Sequence, residues 1–314
     1  MDNPRFVLAP LAGYTDKAFR EICVSYGAEA TVSEMVSAEG LSRDSIKTID
    51  LMDKSDKEKN YIVQLFGSSP DPFLRAIDVL KANKIEKIDI NCGCPVPKVV
   101  KTGSGSALMK EPKKIREIVK VLKDNLNIPI SVKFRLGWDN DSINYLEFAE
   151  EAVLGGASAL TLHARTRSQG YEGKADRNAF KNLSDYFKGE NILLYASGDI
   201  FSPEDALDII TNYGMDGVMF ARGAIGNPFI FKETKDYIEN GEYTLPSLEE
   251  RIECALNHYD IFVKYYGEDV ASRAMRKHAL AYCKGLKGAA KCKNLISLAK
   301  EKKDYIDAFS TLYN

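Results

Sequence analysis

Residues 85–95 read IEKIDINCGCP, and residues 98–109 continue as KVVKTGSGSALM. In the first segment isoleucines alternate with polar residues up to Asn91, which is the period-two pattern of a strand with one apolar and one polar face. Cys94 follows this strand on a turn of glycine and proline. A thiol with the ordinary pKa of about 8.5 is mostly protonated at neutral pH. Cys94 is therefore predicted to act as a proton donor first, and as a nucleophile only if its pKa is lowered.

Eight strand-like segments, of which this is the fourth, alternate with helical patterns between residues 6 and 240. Eight β-α units over a chain of this length are typical of a TIM barrel. A doubly wound sheet is the main alternative, but it more often has fewer strands and a glycine fingerprint in its first turn. We therefore predict an α/β fold, with a TIM (β/α)8 barrel over residues 1–240. The predicted strands begin at Phe6, Thr31, Tyr61, Ile85, Ile130, Ala159, Ile192 and Gly217.

Several polar side chains fall at one end of this predicted barrel. The active site of a TIM barrel is built at the carboxyl ends of the strands, where alternation with apolar neighbours places Gln64, Asn91, Lys133 and His163. A lone lysine is normally solvated and a lone histidine is more often structural. A barrel interior needs only apolar side chains, however, and a buried charge without a partner is costly. We therefore predict that these four side chains surround a polar ligand.

Two glycine-containing turns follow the seventh and eighth predicted strands. They read Ser197-Gly198-Asp199 and Ala221-Arg222-Gly223. Barrels commonly bind a phosphate group at these positions, using backbone N–H groups, a helix N-terminus and often an arginine. Ordinary turn chemistry is the alternative for either turn taken alone. Their placement after strands seven and eight favours phosphate binding.

The motif Asn91-Cys92-Gly93-Cys94-Pro95, followed by Lys98-Val99 and Gly105-Ser106-Ala107-Leu108, resembles the signature of the tRNA-dihydrouridine synthases (the Dus family), of the bacterial DusB-like kind. These proteins are flavoenzymes that reduce uridine in tRNA. Residues 9–16, APLAGYTD, resemble the opening motif of the family, with Leu11 in place of the commoner methionine. The resemblance covers nearly the full chain and is most specific at the barrel mouth.

The resemblance also implies a mechanism. Reduced FMN would pass a hydride from N5 to C6 of uracil, Cys94 would protonate C5, and Asn91 would orient the base, with NADPH as the source of electrons. Cys92 keeps the interpretation of a small buried residue. Lys133 is expected at the pyrimidine edge of the flavin, where it stabilises the charge of the reduced ring. The expected FMN contacts are Pro10, Leu11, Ala12, Gln64, Lys133, His163, Ser197, Gly198, Asp199, Ala221 and Arg222.

The two phosphate turns depart from the family pattern, which is usually Asn-Gly-Asp and Gly-Arg. Ser197 replaces the amide and Ala221 replaces the glycine. Because backbone groups make much of a phosphate site, FMN binding is expected to survive both changes.

Helical patterns replace the alternation in the last part of the chain. Residues 270–303 contain ten Lys or Arg residues and one acidic residue, Glu301. Such a block is usually a solvated face, but an imbalance of this size attracts a polyanion. The arrangement resembles the helical C-terminal domain that holds tRNA in the Dus family, so residues 241–314 are predicted to form a small tRNA-binding domain. The expected RNA contacts, including Tyr282 stacked on a base, are Lys98, Arg165, Arg167, Arg273, Arg276, Lys277 and Tyr282.

The overall composition is that of an ordinary globular protein, with 45% hydrophobic and 28% charged residues and a formal net charge of -2. This charge gives no global attraction to nucleic acid, no apolar run reaches the roughly 18 residues of a membrane span, and the first residues lack a signal-peptide pattern. The six cysteines show no spacing typical of disulfides or zinc. We expect a cytoplasmic protein without a metal or membrane contact, and nothing implies a protein partner.

Two other functions remain open. A flavin barrel could reduce a free pyrimidine or another small enone, which leaves the basic tail unexplained. A non-catalytic tRNA-binding or folding factor would have no use for the polar barrel mouth. A preparation that stays colourless with added FMN favours the second alternative, and NADPH oxidation that requires unmodified tRNA argues against the first.

Overall fold

The computed structural model describes residues 3–313, and its centre is a closed barrel of parallel strands. Nine strands occur in the order β2-β1-β9-β8-β7-β6-β5-β4-β3, and a pairing of β2 with β4 closes the barrel through eight of them. Helices connect successive strands, so the predicted TIM barrel is confirmed. The strands are β1 (Phe6–Leu8), β2 (Ala30–Val32), β3 (Val36–Ser37), β4 (Tyr61–Phe66), β5 (Ile88–Cys92), β6 (Ile130–Arg135), β7 (Ala159–His163), β8 (Leu193–Ser197) and β9 (Gly217–Phe220).

The second predicted strand is interrupted in the structure. β2 ends at Val32, and β3 continues along β4 with Val36 opposite Leu65. Between them the Ser33 hydroxyl accepts a hydrogen bond of 2.9 Å from the Gln64 backbone N–H. A side chain thus satisfies a strand donor at the point where the backbone ladder is broken.

Helices surround the barrel and then form the C-terminal part of the chain. The apolar stripe of α7 is buried as its three- and four-residue spacing predicts, and Pro112 occupies its first turn, where no N–H is needed. The helices are α1 (Lys17–Ser25), α2 (Ala38–Leu41), α3 (Ile46–Ile49), α4 (Pro70–Arg75), α5 (Ile77–Ala82), α6 (Pro97–Val100), α7 (Pro112–Asn125), α8 (Tyr145–Leu154), α9 (Asn178–Tyr186), α10 (Pro203–Asn212), α11 (Ile230–Asn240), α12 (Leu248–Tyr266), α13 (Glu268–Tyr282), α14 (Ala289–Leu298) and α15 (Lys302–Ser310).

The two faces of the strands have different environments. Outward side chains such as Ile90 and Val132 pack against the helices in the largest apolar cluster. Inward side chains form a smaller apolar cluster that includes Val32, Tyr195 and Met219. The strand register sets Lys133 beside Asn91, and His163 beside Ser197. The predicted polar residues of the inner face therefore lie on neighbouring strands.

The four C-terminal helices share an apolar cluster with α1 of the barrel, and this cluster includes Tyr259, Met275 and Phe309. α12 begins with a capping box formed by Ser247 and Glu250. Among the described residues, no helix combines the length and the apolar character needed to cross a membrane. The division of the chain at residue 240 stays a prediction.

A buried histidine pair joins the C-terminal helices to the barrel. His278 Nε2 lies 3.2 Å from the carboxylate of Asp16, which also caps the N-terminus of α1. The ring of His258 lies 4.6 Å from that of His278, and both rings pack against Phe19. Burial lowers the pKa of both histidines, although Asp16 opposes the shift. Both rings are therefore neutral at pH 7.

Acid is expected to weaken this contact. Because the pKa of each buried histidine is lower in the folded state than in the unfolded state, the unfolded chain binds protons first as the pH falls below about 6.5. The contribution of each histidine to the free energy of unfolding should be constant above that pH and fall by about 1.4 kcal/mol per pH unit below it. His278→Gln should remove the contribution of one histidine to the pH dependence of the free energy of unfolding. Denaturant titrations between pH 5 and 7.5 measure this free energy. If the slope of the free energy of unfolding against pH is undiminished in the variant, His278 is already protonated in the folded protein.

Candidate functional site at the carboxyl ends of the strands

A cavity of about 540 Å³ opens at the carboxyl ends of the barrel strands. Twelve of the predicted site residues line it, and they come from six different strand ends or the loops that follow them. The cavity is thus formed where a TIM barrel places its active site. These residues are Pro10, Leu11, Ala12, Asn91, Cys94, Lys133, His163, Ser197, Gly198, Asp199, Ala221 and Arg222.

Cys94 lies at the edge of this cavity on the turn after β5. Its backbone N–H donates a hydrogen bond of 3.0 Å to the Asn91 side-chain oxygen, and its carbonyl accepts one of 2.9 Å from the Ser106 hydroxyl. It is the one cysteine of the described chain that is not fully buried. Burial raises the pKa of the thiol, although the Val96 N–H and Arg135 oppose the shift. The thiol is therefore protonated at neutral pH and can donate its proton.

Lys133 and His163 provide the polar wall of the cavity. Burial, together with the nearby Arg135, lowers the pKa of Lys133 to about 8, while Asp89 acts in the opposite sense. Burial and then Lys133 hold the pKa of His163 well below its ordinary value. The Nε2 atom of His163 is buried without a hydrogen-bond partner. A neutral imidazole nitrogen with no protein partner is available to a ligand.

The turn after β8 has the backbone shape of an anion site. Gly198 has a φ of +111°, and Asp199 has a φ of +50°. Among the described residues, no backbone carbonyl accepts a hydrogen bond from the N–H of Gly198 or Asp199. Free N–H groups in successive residues of such a turn favour a phosphate group.

The Asp199 carboxylate organises the arginines beside this turn. It accepts hydrogen bonds from Arg165 at 2.5 Å and from Arg222 at 3.1 Å. Burial raises the pKa of Asp199, but the hydrogen bonds from Arg165 and the Ala175 N–H and the charges of the two arginines together outweigh it, so the net shift is downward. The Arg222 guanidinium also stacks on the rings of Tyr171 and Phe201, at 4.6 and 5.3 Å from their centroids. It is therefore held at the cavity rim with part of its surface free.

The side chains of three predicted contact residues are buried in the structure and do not line the cavity. Gln64 is fully buried beneath the cavity, where it touches Asn91 and not the open space. Arg165 is 1% exposed and donates to Asp199 and to the carbonyls of Glu172 and Gly173, so it shapes a loop and cannot reach an RNA phosphate.

Tyr282 is the third of these, because it is 2% exposed and points into the C-terminal core. Its hydroxyl lies 3.5 Å from Cys254 Sγ and 3.4 Å from His258 Nδ1. A base cannot stack on this ring without disruption of α13. Tyr282 is thus an internal residue, although it lies on a helix in a basic segment of the sequence.

The remaining predicted RNA contacts lie on or near the surface. Lys98 and Arg273 are exposed, and Arg167 is half-buried over the ring of Trp138, at 4.4 Å. Arg276 donates two hydrogen bonds to the Ala299 carbonyl, so its guanidinium holds the end of α14. The Lys277 ammonium donates to the carbonyl of Gly13 in the opening loop of the barrel.

Asp89 and Arg135 are important residues of the site that the sequence analysis did not select. Asp89 shares the inner face of β5 with Asn91 and accepts a hydrogen bond from Gln64 at 2.7 Å. Arg135 donates to the carbonyls of Gly93 and Thr166, at 2.7 and 2.9 Å, and so fixes the turn that carries Cys94. The alternation of polar residues along both strands was a signal for each.

The fold and the cavity define a parallel α/β barrel with a polar site at its mouth. The model of the dihydrouridine synthase (Dus) family matches residues 7–312. The chain is 39% identical over 287 residues to a protein named as a probable tRNA-dihydrouridine synthase of Treponema pallidum (strain Nichols), covering 89% of this chain and 84% of that one. It is 33% identical over 311 residues to the tRNA-dihydrouridine synthase B of Pasteurella multocida (strain Pm70), covering 99% and 93%. This chain belongs to the Dus family.

A solved structure agrees in fold alone. The structure of 2-naphthoyl-CoA reductase superimposes with a TM-score of 0.58 at 12% identity, covering 88% of this chain and 56% of that one. The likeness supports the assignment of the architecture and carries no statement about the substrate.

Proposed function

We propose that this protein reduces uridine to 5,6-dihydrouridine in tRNA, with FMN as its cofactor and NADPH as the reductant. The observation that carries the proposal is the protonated Cys94 thiol at the edge of a cavity lined by Lys133 and the unpartnered His163. Membership of the Dus family supports the same reaction. Because tRNA is the proposed substrate, we expect the protein in the cytoplasm.

The residues of the cavity fit FMN. The turn at Gly198 offers free N–H groups and Arg222 offers a cation for the phosphate, while Lys133 and His163 offer polar partners for the ring. The loop of residues 10–12 supplies an apolar wall. Bound FMN supplies the hydride for C6 of uracil, a chemistry that no side chain can provide.

The side chains of the chain have the other roles in the reaction. Cys94 donates its proton to C5 of uracil, and Asn91 orients the base through its amide. Lys133 stabilises negative charge at the pyrimidine edge of the flavin. The target nucleotide must leave the base stack to reach the cavity, at a cost of a few kcal/mol.

The proposed division of labour assigns chemistry to residues 1–240 and RNA binding to residues 241–314. Exposed basic residues occur on both parts, which include Lys98 near the cavity and Arg273 on α13. The cations of Arg167 and Lys110 both lie close to the Trp138 ring, at 4.4 and 3.6 Å from its centroid, beside the loop that follows β6. Basic side chains of this kind bind the phosphate backbone of RNA without recognising its base sequence.

The proposal is tested by the product and by the colour of the protein. Purified protein with FMN and NADPH should convert a uridine of unmodified tRNA to dihydrouridine, detected as a gain of 2 mass units in digested nucleosides (roughly the mass of the two added hydrogens). NADPH oxidation that proceeds equally with free uridine would favour reduction of a small molecule. A protein that binds tRNA but takes up no FMN would exclude the proposed enzyme.

The fit of FMN gives a separate prediction at Gly198. A Cβ atom at this position would lie 2.8 Å from Cδ2 of His163, and the φ of +111° is unfavourable for any L side chain. Gly198→Ala should therefore displace His163 and weaken FMN binding at least about tenfold, with a strain cost of about 1–3 kcal/mol. Quenching of FMN fluorescence on titration with the protein measures the affinity.

Gly189→Ala is the matched control, because Gly189 has a φ of +91° but no atom within 4 Å of the added Cβ. It should share the backbone strain and keep the FMN affinity. Equal losses of affinity in both variants would mean that strain, and not the collision with His163, is responsible.

A further inference from the structure

A chain of hydrogen bonds runs through the barrel interior from Asp89 to the turn that carries Cys94. Asp89 accepts from the Ser131 hydroxyl at 2.6 Å and from Gln64 Nε2 at 2.7 Å. Gln64 Oε1 accepts from Asn91 Nδ2 at 2.8 Å, and Asn91 Oδ1 accepts from the Cys94 backbone N–H at 3.0 Å. Three hydrogen bonds thus connect a buried carboxyl group to the residue that is the proposed proton donor.

We propose that Asp89 is a positioning residue that fixes the orientation of the Asn91 amide and, through it, the Cys94 turn. The inference rests on the proposed function, because Asn91 and Cys94 take their roles from it. Asp89 itself is 1% exposed and does not line the cavity. It can act on the reaction only through the side chains between it and the substrate.

The chemistry of the two ends allows only one arrangement of the amides. A side-chain amide can usually turn over, because its oxygen and nitrogen are nearly equal in size. Here one end of the chain is a carboxylate oxygen, which accepts, and the other end is a backbone N–H, which donates. Gln64 must therefore direct its NH2 group to Asp89 and its oxygen to Asn91. Asn91 in turn must direct its oxygen to the turn.

The orientation of Asn91 matters for two backbone groups at once. Its Oδ1 atom accepts from the N–H of Gly93 at 3.3 Å as well as from that of Cys94. A reversed amide would set its NH2 group against two donors, and the turn would have to move. Because this turn presents the thiol to the cavity, a change at Asp89 is transmitted to Cys94.

The proposed role of Asp89 requires an oxygen that accepts a hydrogen bond and does not require a negative charge. Burial raises the pKa of Asp89, against the hydrogen bonds from Ser131 and Gln64 and the charge of Lys133. A protonated Asp89 could direct its hydroxyl to Ser131 and still accept from Gln64 with its other oxygen. Asparagine can do the same with its NH2 group. Leucine, of similar size, leaves Gln64 without an acceptor and frees both amides.

The test compares Asp89→Leu with Asp89→Asn in the FMN-loaded protein. Its decisive readout is the pH profile of Cys94 alkylation by iodoacetamide, followed by intact mass, because the other five cysteines are buried. Asp89→Asn should keep the wild-type profile, and Asp89→Leu should shift its midpoint by at least half a pH unit. We expect the same Leu variant to lose at least tenfold in the rate at which unmodified tRNA reoxidises the reduced protein.

Glu233→Leu is the matched control, since Glu233 is a buried carboxyl group on α11 that lies outside the cavity. Its alkylation profile should equal that of the wild type. If Asp89→Leu does not fold, Gln64→Leu replaces it. This variant removes the link between Asp89 and Asn91 and leaves the Asn91 NH2 group without its acceptor, so a shifted profile supports the inference and a retained one overturns it.

A wild-type alkylation profile in folded Asp89→Leu would overturn the positioning role. Alkylation needs no tRNA, so this readout decides the role of Asp89 even if the wild-type protein does not react with tRNA. A wild-type protein that does not react with tRNA would instead refute the proposed function. The two failures are therefore distinguishable.

Discussion

Replacing Cys94 by alanine is expected to leave a yellow protein that accepts electrons from NADPH but forms at least about a hundredfold less dihydrouridine. A positioned proton donor typically contributes a factor of about 10² to 10⁴, and Cys94 is the one cysteine of the described chain whose thiol reaches the cavity. Its protonated state at neutral pH follows from burial. Mass spectrometry of nucleosides from treated tRNA measures the product.

Cys92 provides a control only two residues away. Its side chain is fully buried among the apolar residues outside the barrel, on the opposite face of β5 from Asn91. Cys92→Ala should lose packing and some stability but keep product formation near that of the wild type. Undiminished product from Cys94→Ala would remove Cys94 from the reaction.

The alternation of side chains between the two faces of each strand explains how far the site could be predicted from the sequence. Side chains on the inner face of a parallel barrel converge, so Asn91, Lys133 and His163 were identified from period-two patterns alone. Where the pattern ends, the prediction became less accurate. Arg165 comes two residues after β7, and the loop turns its guanidinium inward to Asp199.

The burial of Tyr282 has a different physical cause. Sequence spacing does not say which face of a helix is covered when the covering helix comes from distant sequence. Tyr282 lies against His258 on α12, and His258 lies against Phe19 on α1 of the barrel. A contact between residues so far apart along the chain depends on the whole packing, so local basic charge suggested a surface that the tyrosine does not occupy.

Replacing Lys133 by methionine is expected to slow the reduction of the bound flavin by NADPH about a hundredfold. Removal of one preorganised group that faces developing charge typically costs a factor of about 10² to 10³. Lys133 lines the cavity between Asn91 and the strand that carries His163, and methionine keeps much of its length without the charge. Loss of flavin absorbance after rapid mixing with NADPH, without tRNA, measures this step.

The pH dependence of FMN binding distinguishes the effect of the Lys133 charge from the effect of the shape of its side chain. Burial lowers the pKa of Lys133 to about 8, so the ammonium is present below that pH and is lost above it. The wild-type protein should therefore bind FMN more weakly as the pH rises from 7 to 9, and Lys133→Met should bind weakly at every pH in that range. Lys120→Met, on the exposed face of α7, should keep the wild-type behaviour. A wild-type rate and pH profile in Lys133→Met would show that the charge does not act on the flavin.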